Sequence, residues 1–434
     1  MALVPRHLSL PIERALQSSR VVNLIGPRQA GKTTLVRDVL RDRKFVTLDD
    51  DAMRVSLEHD AYGQLSALIA QATAAGPHCP VVIDEIQRLP TLTLAIKRLV
   101  DSDPRPGQFL LTGSSDIFTT THALDSLAGR VTTLTLRPFS IAETLYREPC
   151  RILDALAETH SSTGHAAITG HGPSFEPSGR ATVIDWIVRG GFPEIRGLSG
   201  RPRTDRYRSY LDSIVERDVA PITRIRKPDS LRRLVDQLAA RTATEFNSQS
   251  LCQQIGIRKE TLDNWMDALS RLGLIHRLAG WSSHQSRRDI KSPKLHFLDT
   301  GCATALRGED HESFGLEGDP TAFGHLLESL VFIELEKSLP FQKKPWRLYH
   351  WRQDHREIDI IAEAPGRFLA LFEVKASSTV SERDFRAMDW FREEGPGREY
   401  RCTSVVIHLG NEVLSFGPGK LALPVTVFGG QAMS

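Results

Sequence analysis

The sequence predicts an α/β protein that begins with a parallel sheet carrying helices on both faces, and three observations carry that prediction. Five short apolar runs, at 20–25, 44–48, 80–83, 108–112 and 131–136, alternate with helical stretches. Their apolarity is continuous rather than alternating, as strands buried on both faces require. The first run leads into a glycine-bearing loop that opens a helix, and the third ends in two adjacent carboxylates. Strands separated by helices build βαβ units, hence a parallel sheet.

The 434 residues are too many for one core and suggest about three domains. Apolar and charged fractions of 40% and 25% are those of a soluble globular protein. A net charge of +2 does not by itself argue for nucleic acid, so that case rests on local patches. Cysteines at 79, 150, 252, 302 and 402 show no C-x-x-C spacing, which argues against a zinc ribbon or a disulfide frame. No signal-peptide core and no apolar run of membrane length occur, so a cytoplasmic location without membrane contact is expected. The expected divisions are 1–150, a flexible insertion within 151–180 rich in Gly, Ser and Pro, a helical segment at 181–244, then 245–314 and 315–434.

The first loop reads Gly26-Pro27-Arg28-Gln29-Ala30-Gly31-Lys32-Thr33, matching G-x-x-x-x-G-K-[ST], with Thr34 opening the helix. The apolar run Val21-Val-Asn-Leu-Ile25 before it and Thr34 to Leu40 after it provide the strand–loop–helix setting in which the motif has a mechanism. Backbone N–H groups of such a loop form an anion nest, reinforced by the positive end of the helix. Lys32 is expected to reach the β- and γ-phosphates of ATP, and Thr33 to ligate Mg²⁺. A ligand-free glycine turn is the alternative.

Val81-Val-Ile-Asp84-Glu85 is the matching Walker B pattern about fifty residues on. Asp84 is expected to hold Mg²⁺, and Glu85 to polarise the attacking water. The next run ends Leu111-Thr-Gly-Ser114-Ser-Asp116, and Ser114 is a candidate sensor of the γ-phosphate. Arg130, in Leu127-Ala-Gly-Arg130, is a candidate arginine finger for its own or a neighbouring subunit, or else a surface arginine.

Residues 247–275 show helix-turn-helix patterning. Leu251 and Ile255 edge one helix, Gly256 makes the turn, and Leu262, Trp265, Met266, Leu269 and Leu272 line a second at helical spacing. Two short strands, 274–278 and 294–298, flank the basic loop from Ser286 to Lys294 as a wing would. One reading puts Arg258, Lys259 and Asn264 in the major groove of duplex DNA and the wing on phosphates. The other has the module pack against protein, since Asp263 and Asp267 would repel phosphate.

Toward the end come Glu328 on a helix, Asp359 on an alternating strand, and Glu373-Val-Lys375 on the next strand. Strand periodicity puts Glu373 and Lys375 on one face, where Asp359 can join them. Glu328, Asp359 and Glu373 would form a carboxylate pocket for Mg²⁺, with Lys375 as helper rather than ligand. This ordered set resembles the PD-(D/E)XK nuclease pattern. A nuclease-like fold that does not cut is the alternative.

In sum, GPRQAGKT, VVIDEIQRLP, LLTGSSD, LAGRVTTLTLRPFS, Gly190-Gly-Phe-Pro-Glu194, Leu211 to Val219, Leu298-Asp299-Thr-Gly301, YHWR and FEVK occur in order. With them the chain resembles bacterial and archaeal AAA+-like P-loop ATPases that end in a domain of unknown function with a restriction-endonuclease-like core. The resemblance implies a P-loop NTPase sheet, a helical and winged-helix middle, and an α/β nuclease-like C-terminal domain. Arg217, within Glu216-Arg-Asp218, is a second candidate finger. The expected function is ATP binding and hydrolysis, with duplex DNA, a protein or a second copy of the chain as candidate partners. A nucleotide-dependent switch, or a DNA-binding regulator, is the alternative.

Overall fold

β1 (Val21–Ile25), β2 (Phe45–Thr47), β3 (Val81–Asp84), β4 (Phe109–Thr112) and β5 (Val131–Thr135) form a five-stranded sheet in the order β2-β3-β4-β1-β5. Every pairing in it is parallel. β3 and β4 are buried along their whole length, as their unbroken apolar runs require. On one face Val21, Val46, Ile83, Phe109 and Leu111 pack with Leu57, Leu65, Ile96 and Leu99, from helices Asp51–His59, Ala61–Ala75 and Leu92–Ser102. The computed structural model describes residues 3–39, 44–76, 79–113, 127–159, 179–219, 228–245, 247–284, 288, 292–315 and 318–430.

The chain divides into two compact units: Pro5–Pro138 with Arg271–Gly273, and the remainder from Phe139 onward with the first four residues. The segments expected at 181–244, 245–314 and 315–434 thus share one unit, apart from the three residues 271–273. Of the expected flexible insertion, 160–178 lies outside the described residues, and its first part is instead the helix Ile152–Thr159, with Ile152, Leu153 and Leu156 buried.

In the larger unit, helices Ser248–Ile255 and Lys259–Arg271 are joined through Gly256, which is left-handed at φ +76. That conformation is nearly free only for glycine. Asn247 caps the first helix by accepting from the N–H groups of Gln249 and Ser250. β6 (Thr244–Glu245), β7 (Ile275–Leu278) and β8 (Lys294–Phe297) form an antiparallel sheet in the order β6-β8-β7.

β9 (Arg347–Gln353), β10 (Arg356–Ala364), β11 (Phe368–Val374), β12 (Arg401–His408), β13 (Leu414–Ser415) and β14 (Lys420–Pro424) form a mixed sheet ordered β13-β14-β12-β11-β10-β9. β9, β10 and β11 run antiparallel, whereas β11, β12 and β14 run parallel. The β9–β10 register shifts between Ile358 and Ile361. Such a bulge re-aims the side chains within it, here Asp359. The helix Pro320–Ser338, with Pro320 in its first turn and Asp319 as its cap, is buried along most of its length and carries Glu328 inward.

The segments Gly190-Gly-Phe-Pro-Glu194 and Leu298-Asp299-Thr-Gly301 meet in one buried contact. Asp299 caps the helix Thr300–Arg307, its Oδ1 accepting from Cys302 N and from the Tyr207 hydroxyl, both at 2.9 Å. Its Oδ2 accepts from Gly191 N at 2.7 Å. A Cβ on Gly190, at φ +65, would collide with the Asp299 carboxylate and the Tyr207 hydroxyl. A Cβ on Gly301 would meet the Tyr207 hydroxyl at 2.6 Å. The glycines are there so that backbone and carboxylate can close this buried contact.

Candidate active site

In the smaller unit the loop 26–31 leaves the carboxyl end of β1 and enters the helix Lys32–Val39. Gly26, at φ +152, approaches the Leu136 carbonyl so closely that a Cβ would overlap it. Gln29 and Gly31 are also at positive φ, at +60 and +93, which turns successive amides of the loop. Ala30 is buried, and its carbonyl accepts from Arg6 at 2.7 Å. Arg6 lies 24 residues upstream of Ala30, and no local pattern marks it as a brace of the loop.

Lys32 is buried at the mouth of the loop, its Nζ donating to the carbonyls of Gly26 at 2.9 Å and Pro27 at 3.0 Å. Thr33 donates its hydroxyl to Asp84 Oδ2 at 3.0 Å. Thr112, at the end of β4, donates its hydroxyl to Asp84 Oδ1. Asp84 is therefore held between two threonines. A hydroxyl and a buried carboxylate at this separation are the hard oxygen donors that Mg²⁺ takes.

Glu85 follows in the left-handed region at φ 58, a conformation costing about 1 kcal/mol for a residue with a Cβ. The kink ends β3 and starts a short turn, Ile86–Arg88. Gln87 reaches back and donates its amide to Glu85 Oε2. Burial raises the Glu85 carboxyl above the ordinary glutamate value, with Asp84 adding to it, against the opposing pull of Lys32 and Gln87. A carboxylate so tuned, on a kink beside the phosphate loop, has the character of a general base.

The register of the sheet fixes where the candidate finger Arg130 lies within its own subunit. Val21 pairs with Val131 and Ile25 with Thr135, and Val21 N donates to the Arg130 carbonyl at 3.2 Å. Arg130 thus flanks the start of β1, whereas the phosphate loop leaves its end, roughly 16 Å away at about 3.3 Å per residue. Its guanidinium grips Asp101 through Nε and Nη2, at 2.5 and 3.0 Å. A finger acting within its own subunit is incompatible with that position. The other expected contact, Ser114, lies outside the described residues, as does the side chain of Arg217. Thr112 carries no motif of its own, although its place at the end of the strand next to β3 marks it.

In the larger unit a second set of charges converges. Lys294 on β8 has only 2% of its side chain exposed. Its Nζ lies 2.7 Å from Glu328 Oε1, 2.6 Å from Glu357 Oε1 and 3.5 Å from Asp359 Oδ1. Asp359 Oδ2 accepts from Val374 N at 2.8 Å, and Lys375 donates to Glu373 at 2.8 Å. The expected acids and Lys375 are thus neighbours, but two further residues, Lys294 and Glu357, stand among them. Burial alone would lower the Lys294 ammonium. Glu328, Asp359 and Glu357 outweigh it and raise Lys294 above the ordinary lysine value. Burial, with Asp359, pushes Glu373 up to about 8 against the pull of Lys375. Among the described residues no group of three or more His, Cys, Asp or Glu is placed to hold a metal ion.

Of the expected wing loop, residues 286–287 and 289–291 lie outside the described residues. Arg288 is buried, not displayed: it donates to Glu363 at 2.6 and 3.0 Å and to the Tyr349 hydroxyl at 2.9 Å. Lys294, at the end of the same loop, also faces inward. Arg258, Lys259 and Asn264 are exposed, but Glu260 and Asp263 share that exposed surface. Asp267 is paired with Arg277 of β7.

No helix among the described residues is long and apolar enough to cross a membrane. Residues 18–145 match the family described as "AAA domain", 180–313 match "Domain of unknown function (DUF8612)" and 323–428 match "Domain of unknown function (DUF4143)". Uncharacterized proteins of Mycobacterium tuberculosis and Mycobacterium bovis are each 29% identical over 388 residues, covering 88% of this chain and 76% of theirs. A Walker-type ATPase of Pyrococcus abyssi superposes with a TM-score of 0.42 at 16% identity, covering 70% of this chain and 96% of that one. With the phosphate loop, the strand-end carboxylate and the five-stranded parallel sheet, residues 18–145 have the fold of a P-loop NTPase and match the AAA domain family.

Proposed function

We propose that the protein hydrolyses ATP at this loop, with Lys32 on the β- and γ-phosphates, Thr33 and Asp84 as Mg²⁺ ligands, and Glu85 as the base. The observation that carries the reading is the convergence of Thr33 and Thr112 on Asp84, one residue before a kinked glutamate. Mg²⁺, when bound with the nucleotide, neutralises phosphate charge. Glu85 accepts the proton of the attacking water, and a backbone nest with Lys32 favours the charge on the transferred phosphoryl group. Steady-state phosphate release from the full chain tests it. Glu85→Gln is expected to retain nucleotide affinity while turnover falls by about 10²-fold or more. Undiminished turnover in that variant would refute the assignment.

A second reading, the nucleotide-dependent switch with a non-cutting partner module, is favoured by the inward-facing Arg288 and Lys294. A wing that spends these cations on internal carboxylates has fewer left for phosphates. A salt titration of duplex DNA binding separates this protein-facing module from a DNA-binding one, because phosphate contacts give a steep negative slope. A flat slope supports the protein-facing module.

A further inference from the structure

We infer that Lys294 is an internal cation that takes the place of a divalent metal in the carboxylate pocket of the C-terminal sheet, locking the β7–β8 hairpin to that sheet. The proposal concerns the larger unit and is independent of the ATPase reading.

The acids come from elements distant in sequence: Glu328 from the helix Pro320–Ser338, and Glu357 and Asp359 from β10. Each points at one Nζ, within 3.5 Å. A metal in the expected place would share Glu328 and Asp359 with that ammonium. Both oxygens of Asp359 are engaged, one by Val374 N and the other facing Lys294. Glu373 is paired with Lys375. The donor set therefore fits an ammonium rather than an added dication. A compact cation with three donors on a flexible stem is what three converging carboxylates need once water is gone.

The arrangement also joins layers. Lys294 pairs with Leu278 of β7 and Glu245 of β6 through its backbone. Its side chain reaches the long helix and β10. Withdrawing the ammonium leaves buried carboxylates facing one another without compensation. The pocket then gains affinity for a dication, which restores the balance.

The test uses the full chain in a Lys32→Ala, Asp84→Asn background without nucleotide, so that the phosphate loop retains no ion. Mn²⁺ binding is read by electron paramagnetic resonance, and stability by thermal melting. The parent is expected to bind no Mn²⁺, and its midpoint is expected not to move on addition of Mn²⁺. K294M is expected to melt lower by on the order of 10 °C. It is also expected to bind one Mn²⁺ per chain and to recover most of the lost midpoint with the ion. Adding D359N should abolish that site. If K294M alone does not fold, K294M/E357Q carries the same readout, because it removes the most exposed of the three carboxylates. A parent that binds one Mn²⁺ lost in D359N would overturn the proposal. So would a folded Lys294 variant that binds none.

Discussion

Thr112 donates its hydroxyl to Asp84 across the β3–β4 pair, and Thr33 donates to the same carboxylate from the phosphate loop. Two neutral hydroxyls thus orient one buried carboxylate without neutralising it. That preserves the charge a cation needs while fixing the direction in which it is presented.

Thr112→Val removes one of these bonds while keeping the shape of the side chain. Leaving a buried carboxylate oxygen unpaired costs about 1–3 kcal/mol, so kcat/KM for ATP is expected to fall about tenfold in Mg²⁺. Thr112→Ser should restore most of it. Phosphate-release kinetics of the two variants decide whether the hydroxyl matters.

If Glu85 is the base, as proposed, Gln87 is its positioning residue. Its bond pulls the Glu85 carboxyl downward, against burial, which raises it. A base whose pKa is raised is lost as pH falls through that value. Gln87→Ala should therefore move the acid limb of the kcat profile to higher pH, with nucleotide affinity unchanged. An unshifted limb would assign Gln87 no part in tuning the base.

Arg130 flanks the far end of β1 from the phosphate loop and is spent on Asp101. Arg130→Ala is expected to leave turnover of dilute protein within about twofold of the parent, far from the 10³-fold or greater loss of an arginine finger. Measuring turnover across protein concentration exposes any action between subunits, which would show as a deficit growing with concentration.

Asp299 satisfies three donors at once in a buried setting. Asp299→Ala is expected to destabilise the fold by roughly 2–5 kcal/mol, since the Gly191 and Cys302 amides lose their acceptor and keep their desolvation cost, whereas the Tyr207 hydroxyl retains the Arg189 carbonyl at 3.1 Å. Gly190→Ala should cost on the order of 2–4 kcal/mol through positive φ and collision with Asp299. Chemical denaturation reads both, and ATP turnover at low temperature should survive in each.

Much of the smaller unit was legible in the chain itself. Parallel strands buried on both faces leave unbroken apolar runs, and a phosphate loop must place glycine, lysine and threonine at fixed offsets. Asp84 and Glu85 were readable for the same reason: they follow directly on a buried strand. The C-terminal acids were readable too, because strand alternation puts Glu373 and Lys375 on one face.

What local sequence specifies, then, is the set of elements and the residues each presents: the loop, the strand-end acids, the helix-turn-helix apolar faces. Tertiary structure alone decided which partners those residues meet. Register placed Arg130 at the end of β1 away from its own subunit's phosphate loop, and Thr112 beside Asp84. Packing turned Arg288 and Lys294 inward, onto carboxylates 75 and 34 residues away. The physical reason is that periodicity and turn chemistry act over a few residues. The pairing of buried charges is settled only when distant elements exclude water between them.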